Sequence, residues 1–87
     1  MEIYFHTTFK KQFKKIPPKI QDKFSERLEL WLKDSTDPVL RVHLLKGMYA
    51  NYWSMSVTGD IRALYKYEGE ELVIFALIGT QSSLYGK

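Results

Sequence analysis

The fold is decided by residues 51–78, which read NYWSMSVTGDIRALYKYEGEELVIFALI. Residues 51–57 and 60–67 alternate between two sets of side chains, and this period of two predicts strands. Thr58-Gly59 between them predicts a tight turn. Residues 72–78, within the predicted strand 71–78, are apolar on both faces, which is typical of a strand inside a sheet. Together these residues predict a three-stranded meander.

The residues before the meander predict one more strand and two helices. Residues 2–6 are rich in side chains that favour strands. A cap at Thr7 or Thr8 is expected to begin the first helix, Pro17 to end it, and Pro18 to open the second helix. Two apolar stripes at helical spacing support both helices: Phe9, Phe13 and Ile16, and then Ile20, Phe24, Leu28 and Trp31.

The resulting order β-α-α-β-β-β predicts an α+β fold, in which a helical hairpin packs on one face of a small, mainly antiparallel sheet. The first strand is expected to pair with residues 71–78, because the meander supplies that strand's other neighbour. The second face of the sheet is then expected to be bare. A chain of 87 residues is long enough for one core, so residues 1–87 are predicted to form a single domain.

Composition narrows the function classes. The chain has no cysteine, which excludes disulfides, Cys-ligated zinc and thiol catalysis. The two histidines are far apart and there is no Gly-rich phosphate loop, so we expect neither a metal nor a cofactor. No apolar run approaches the roughly 20 residues that span a bilayer, and the polar N-terminus is unlike a secretory signal; we expect a cytoplasmic protein without a membrane partner. A formal charge of +3 and a pI near 9.2 favour an acidic or polyanionic partner.

The expected bare face carries the candidate functional residues. By alternation it presents Tyr52, Ser54, Ser56, Arg62 and Lys66. His43 and Lys46 precede the first strand of the meander, and Gln81 and Tyr85 follow the last, so these regions are expected to converge at one end of the sheet. This basic and aromatic set suits single-stranded RNA, and its predicted RNA contacts are Lys46, Ser54, Ser56 and Lys66.

Each candidate also has a purely structural interpretation. Arg62 offers a bidentate fork to phosphate, or is a surface arginine paired with an acidic neighbour. His43 acts as a general acid or base, or is an ordinary surface histidine. Lys46 contacts a phosphate, or ends an apolar segment at a glycine turn. Tyr85 stacks on a base, or packs to hold the chain end in place. The residue pattern alone leaves these alternatives open.

Three short elements, in this order and spacing, carry a resemblance to a known family. They are Leu45-Lys46-Gly47, Gly59-Asp60-Ile61-Arg62 and Gly79-Thr80-Gln81-Ser82-Ser83-Leu84-Tyr85. With the segments around them, they make nearly the whole chain resemble the RelE/ParE toxin superfamily of bacterial toxin-antitoxin systems. The resemblance is to its RelE and YafQ branch of ribosome-linked mRNA endonucleases.

This resemblance implies a toxin that cleaves mRNA in the ribosomal A site, without a metal, and that a cognate antitoxin protein holds inactive. Arg62 matches the arginine that stabilises phosphate charge, Lys46 and His43 match polar positions that are functional in some members, and Tyr85 matches an aromatic position. Gln81 stands where this branch commonly has histidine, and an amide cannot exchange a proton at neutral pH. Two alternatives follow: a degenerate module that binds RNA, ribosome or antitoxin, and a ParE-type gyrase poison, which the residue 53–62 pattern disfavours.

Overall fold

A computed structural model describes residues 1–85 as one sheet with helices on both of its faces; the predicted domain 1–87 extends two residues beyond them. The five strands are β1 (Glu2–Phe5), β2 (His43–Leu44), β3 (Trp53–Ser56), β4 (Ile61–Glu68) and β5 (Leu72–Thr80). The three helices are α1 (Thr7–Lys14), α2 (Pro18–Lys33) and α3 (Gln81–Tyr85). Two single turns of 3-10 helix, Pro38–Leu40 and Gly47–Tyr49, lie between α2 and β3.

The strand order across the sheet is β1-β5-β4-β3-β2. β1 runs parallel to β5, and every other neighbouring pair is antiparallel. The predictions of an α+β fold, a mainly antiparallel sheet and a first strand paired with the most apolar strand are therefore confirmed. β5 contains a bulge, since Leu64 faces Leu77 while Tyr65 faces Phe75, which leaves Ala76 as the extra residue.

The helical hairpin is held by local hydrogen bonds that the sequence supplies. His6, rather than Thr7 or Thr8, caps α1, because its Nδ1 accepts a hydrogen bond of 3.1 Å from the Thr8 amide. Pro17 precedes α2 and Pro18 is its first residue, as predicted. The Gln21 side-chain amide donates to the carbonyls of Phe13 and Ile16, so the carbonyls at the end of α1 keep their partners.

The core lies between this hairpin and one face of the sheet. Phe9, Phe24 and Trp31 from the helices pack against Phe75, and Trp31 also packs against Tyr65. Trp31 Nε1 donates a hydrogen bond of 3.0 Å to the Tyr65 hydroxyl, so both polar atoms are satisfied. Tyr65 is only 1% exposed, and this burial raises the pKa of its phenol to about 12.

The second face is not bare, and that prediction is wrong. α3 folds back over it from the end of β5, with Leu84 buried. The Tyr49 hydroxyl donates a hydrogen bond of 2.8 Å to the Leu84 carbonyl, which ties α3 to the Gly47–Tyr49 turn. Gly79 permits this approach, because a methyl group at Gly79 would lie 2.8 Å from Ser83 Oγ. Among the described residues, no helix has the length and apolar character that crossing a bilayer requires.

Candidate nucleic-acid interface

The strand register decides which of the candidate residues share a face. Residues directly opposite one another in an antiparallel pair project to the same side of the sheet. Ser56 faces Arg62, Ser54 faces Leu64, and His43 faces Ser54, so His43 and Arg62 project to the face that α3 partly covers. Lys66 projects to the same face as Arg62 along β4, about 13 Å away at 3.3 Å per residue.

Lys46 and Tyr85 line one cavity of about 300 Å³ on this face. The other residues that line it are Leu45, Met48 and Tyr49. Lys46 is exposed at the start of the Gly47–Tyr49 turn, while Tyr85 is half-buried in the last position of α3. The predicted convergence of the segment before β3 with the segment after β5 is therefore seen for this pair. We refer to this space as the Lys46 cavity.

A row of aromatic rings continues from the Lys46 cavity across the sheet. Tyr49 lies between Tyr85 and Tyr52, with ring centroids 6.0 Å and 6.1 Å away, respectively. The ammonium group of Lys66 lies 5.5 Å from the centroid of the Tyr52 ring, within cation-π range. The resulting surface joins cations to tyrosine rings, which is the combination that binds single-stranded nucleic acid.

Tyr49 is the residue that the sequence analysis missed. It contacts Tyr52, Tyr85 and the carbonyl of Leu84, so it holds the whole aromatic row together. The sequence feature that pointed to Tyr49 was Gly47. Its φ of +70° starts the turn that directs Tyr49 toward the sheet. An apolar segment that ends in a lysine and a glycine predicts such a turn, but not the contacts that the following tyrosine makes.

Arg62 is half-buried and is already engaged with the β3-β4 turn. Its Nη1 donates hydrogen bonds of 2.9 Å to the Thr58 carbonyl and 3.1 Å to the Gly59 carbonyl. Within residues 1–85, Arg62 makes no ion pair with the acidic neighbours that its structural interpretation invoked. The guanidinium group thus stabilises the turn through one nitrogen, and the same group carries the positive charge expected to meet a phosphate.

Gln81 lies at a strand-to-helix junction, where Thr80 has a structural role. Thr80 Oγ1 accepts a hydrogen bond of 3.0 Å from the Ser83 amide, which caps α3. The backbone amide of Gln81 donates a hydrogen bond of 3.2 Å to the Asp60 carbonyl, next to the turn that Arg62 stabilises. Its side chain is exposed. Because Gln81 and Tyr85 are four residues apart in α3, they lie on the same side of that helix.

Ser54 and Ser56 are buried, which corrects the expectation that their hydroxyls are exposed for RNA contact. Their exposed fractions are 0% and 7%. Alternation gave the correct side of the sheet, but α3 and the Gly47–Tyr49 turn lie over that side. Ser54 Oγ has no hydrogen-bond partner among the described residues. Neither serine is part of the exposed surface described here.

His43 is exposed on the edge strand β2, outside the Lys46 cavity. Its Nδ1 lies 3.1 Å from the Arg41 carbonyl, which favours the ring form in which Nδ1 carries the hydrogen. Nε2 is then the basic nitrogen. Only Lys46 and Tyr85 of the predicted catalytic and RNA-binding residues therefore line the Lys46 cavity. The others discussed here, His43, Arg62 and Gln81, lie on the same face or at the same end of the sheet but outside that cavity.

The sheet order, the helical hairpin and the returning helix α3 define the RelE-like toxin fold. Solved structures with this fold cover nearly the whole chain. YafQ from E. coli strain BL21(DE3) matches at 24% identity over 98% of each chain, with a TM-score of 0.83. The E. coli DinJ-YafQ toxin-antitoxin complex matches at 22% identity over 98% of this chain and 97% of the matched chain, with a TM-score of 0.79.

A YoeB/ParE toxin from Agrobacterium tumefaciens has the same fold. It matches at 15% identity over 93% of this chain and 99% of its own, with a TM-score of 0.77. No protein-family model and no curated protein sequence matches this chain. The resemblance to the RelE/ParE superfamily is thus confirmed at the level of the fold.

Proposed function

We propose that this chain is the toxin of a toxin-antitoxin system and that it cleaves mRNA on ribosomes in the cytoplasm. The observation that carries the proposal is the cavity shared by Lys46 and Tyr85, beside the Lys66-Tyr52 pair and on the sheet face of Arg62 and His43. Two lysines supply the attraction to a phosphate backbone, and the tyrosine row supplies rings on which unpaired bases stack.

The proposed reaction uses a nucleophile that the substrate already contains. A ribose 2′-oxygen attacks the adjacent phosphorus, the bond to the 5′-oxygen of the next nucleotide breaks, and a 2′,3′-cyclic phosphate and a 5′-hydroxyl result. The protein orients the strand, stabilises the phosphoryl charge and transfers protons, so the proposal requires neither a metal nor a cofactor. Arg62 is assigned to the phosphoryl charge, and His43 to proton transfer through Nε2.

The proposed partner is a cognate antitoxin protein. The matched YafQ structures include one in complex with DinJ, and the sequence elements resemble a family whose toxins are held by antitoxins. We assign to that partner the masking of the cationic face around Lys46 and Lys66. A flexible partner segment that orders on binding can cover such a surface and release it when the antitoxin is degraded.

A second candidate function is a binding module without catalysis. Two observations favour it. The side-chain amide of Gln81 cannot exchange a proton, and Nη1 of Arg62 already donates hydrogen bonds to carbonyls of the β3-β4 turn. Such a module retains binding of RNA, ribosome or antitoxin through Lys46, Lys66 and the tyrosine row. It does not arrest growth by cleavage.

Induced expression of the chain, with and without Arg62→Ala, tests the proposal. We expect growth arrest and mRNA cuts at ribosomal A-site codons, and we expect both to be lost in the folded Arg62→Ala variant. Lys10→Ala, which replaces an exposed lysine on α1, is the control and should leave growth arrest and mRNA cleavage intact.

Cleavage that survives Arg62→Ala would overturn the assignment of Arg62. Growth arrest with DNA breaks and intact mRNA would indicate a gyrase poison, and harmless expression would favour the binding module.

A further inference from the structure

A second cavity adjoins the Lys46 cavity and contains none of the residues assigned above to catalysis. It has a volume of about 300 Å³ and is lined by His6, Thr8, Met48, Tyr49, Tyr52, Ala76 and Leu77. Met48 and Tyr49 line both cavities, so the two spaces lie on either side of the Gly47–Tyr49 turn. We refer to the second space as the His6 cavity.

His6 brings one directed polar group to this cavity. Its Nδ1 accepts a hydrogen bond of 3.1 Å from the Thr8 amide, so in the neutral ring the hydrogen is on Nε2. Within residues 1–85, no hydrogen bond engages Nε2. The ring is exposed and is held in place by its role as the cap of α1. It therefore presents a fixed donor rather than a mobile one.

Apart from Thr8, the remaining walls are aromatic or apolar. The Tyr52 and Tyr49 rings meet nearly edge to face, at 82°, and Lys66 lies against Tyr52. Ala76, the extra residue of the β5 bulge, contributes only a methyl group where the space opens. Aromatic faces, a hydrogen-bond donor held in place and a nearby cation are what an unstacked nucleobase and its phosphate require.

We propose that the His6 cavity holds the base of the nucleotide next to the one that stacks at Tyr85. This proposal rests on the proposed function, because it assigns a second position on the same RNA strand. The Gly47–Tyr49 turn separates the two bases, and Lys66 attracts the phosphate near the base in the His6 cavity. Tyr52 and His6 then select which base occupies this position. The Tyr52 ring stacks on the base, and His6 Nε2 donates a hydrogen bond to the base edge.

Two variants alter this cavity without touching Lys46, Arg62 or Tyr85. His6→Asn removes the ring but keeps a side chain that caps helices well, so α1 stays capped. Ala76→Leu fills the cavity from the β5 bulge. Thr7→Asn is the matched control, because it places the same amide one residue further along and does not line the cavity. Circular dichroism and urea unfolding should show that all three variants fold.

The measurement is the affinity for a short single-stranded oligoribonucleotide and for versions with one abasic position moved along it. In the unmodified protein, one abasic position beyond the Tyr85 base should weaken binding by about 5- to 150-fold, as expected for the loss of one stacked base. In His6→Asn and Ala76→Leu that loss should shrink severalfold, while Thr7→Asn should keep it in full.

The possible failures are distinguishable. If the unmodified protein binds RNA but the abasic losses are the same in all variants, the His6 cavity is not a base site and the proposed function still stands. If the unmodified protein binds no RNA, both proposals fail. If His6→Asn and Ala76→Leu lower affinity for the antitoxin and leave RNA affinity unchanged, the cavity receives a protein side chain, and the assignment to a nucleobase is wrong.

Discussion

Arg62 and Gln81 both belong to the proposed site, and each also takes part in the fold. Arg62 Nη1 donates hydrogen bonds to carbonyls of the β3-β4 turn. The backbone amide of Gln81 donates one to the Asp60 carbonyl of the same turn. The turn thereby fixes the relative positions of the arginine charge and of the first residue of α3. A substitution at Gln81 keeps its backbone bond to Asp60, whereas Arg62→Ala removes the side-chain bonds to the turn, so the test of Arg62 needs a measurement of folding beside it.

Gln81→His should raise RNA cleavage if the rest of the site is intact. A histidine at this exposed position supplies a group that exchanges protons near neutral pH, and such groups typically contribute about 100- to 10,000-fold. Cleavage of a ribosome-bound mRNA by the purified protein measures the effect. Gln81→Asn is the control and should give no gain. Equal rates for the histidine and asparagine variants would show that residue 81 does not take part in proton transfer.

Tyr65 should make the stability of the protein fall at alkaline pH. Burial raises the pKa of its phenol from 10.0 to about 12, so between these values the folded state retains a proton that the unfolded state loses. The contribution of Tyr65 to the free energy of unfolding is constant below pH 10 and should fall by roughly 2–3 kcal/mol as the pH rises to 12.

Urea unfolding at pH 9 and pH 12, compared with Tyr65→Phe, measures this effect. The phenylalanine variant removes the ionisable group and should lose the part of the pH dependence that Tyr65 contributes. At pH 9 it should also be less stable by about 1–3 kcal/mol, because Trp31 Nε1 loses its partner in the core. Parallel pH profiles for the two proteins would contradict the assigned burial of the phenol.

At the scale of elements, α3 packs closely against one glycine. Gly79→Ala should lower the free energy of unfolding by about 1 kcal/mol, because the added methyl group would lie 2.8 Å from Ser83 Oγ, which must rotate away and lose its hydrogen bond to the Thr80 carbonyl. Ser83→Ala removes that oxygen, so the double variant should recover part of the loss. A urea-unfolding cycle over the four proteins measures the coupling, and strictly additive effects would contradict close packing of α3 on Gly79.

The sequence predicted the longer elements and missed the short ones, for a physical reason. Phe9 and Phe13 in α1, and Phe24, Leu28 and Trp31 in α2, recur at helical spacing, so local pattern alone predicts both helices. β2 has only two residues and α3 only five, and both are fixed by tertiary contacts such as Tyr49 to Leu84. Alternation placed Ser54 on the correct side of the sheet but could not predict what covers that side.

At the scale of the whole molecule, positive charge lies on two opposite surfaces. The hairpin surface carries exposed lysines of α1 and the residue after it: Lys10, Lys11, Lys14 and Lys15. The other surface carries Lys46 and Lys66 beside the tyrosine row. Net charge alone does not distinguish these surfaces, because each lysine adds the same charge to the total of +3 wherever it lies. Salt dependence does, because only lysines that neutralise phosphates release counterions on binding.

Lys46→Ala and Lys66→Ala should each reduce the salt dependence of RNA binding. For single strands the slope of log K against log salt changes by about 0.7 per neutralised phosphate, so each variant should lower its magnitude by about that amount. Lys10→Ala and Lys14→Ala remove the same charge from α1, which is on the other side of the sheet, and should leave the slope unchanged. Titrations of one oligoribonucleotide at several salt concentrations measure all four. If the α1 variants change the slope as much as Lys46→Ala, RNA binds to the hairpin surface and the position of the interface is wrong, because each lysine that neutralises a phosphate releases a counterion from the RNA.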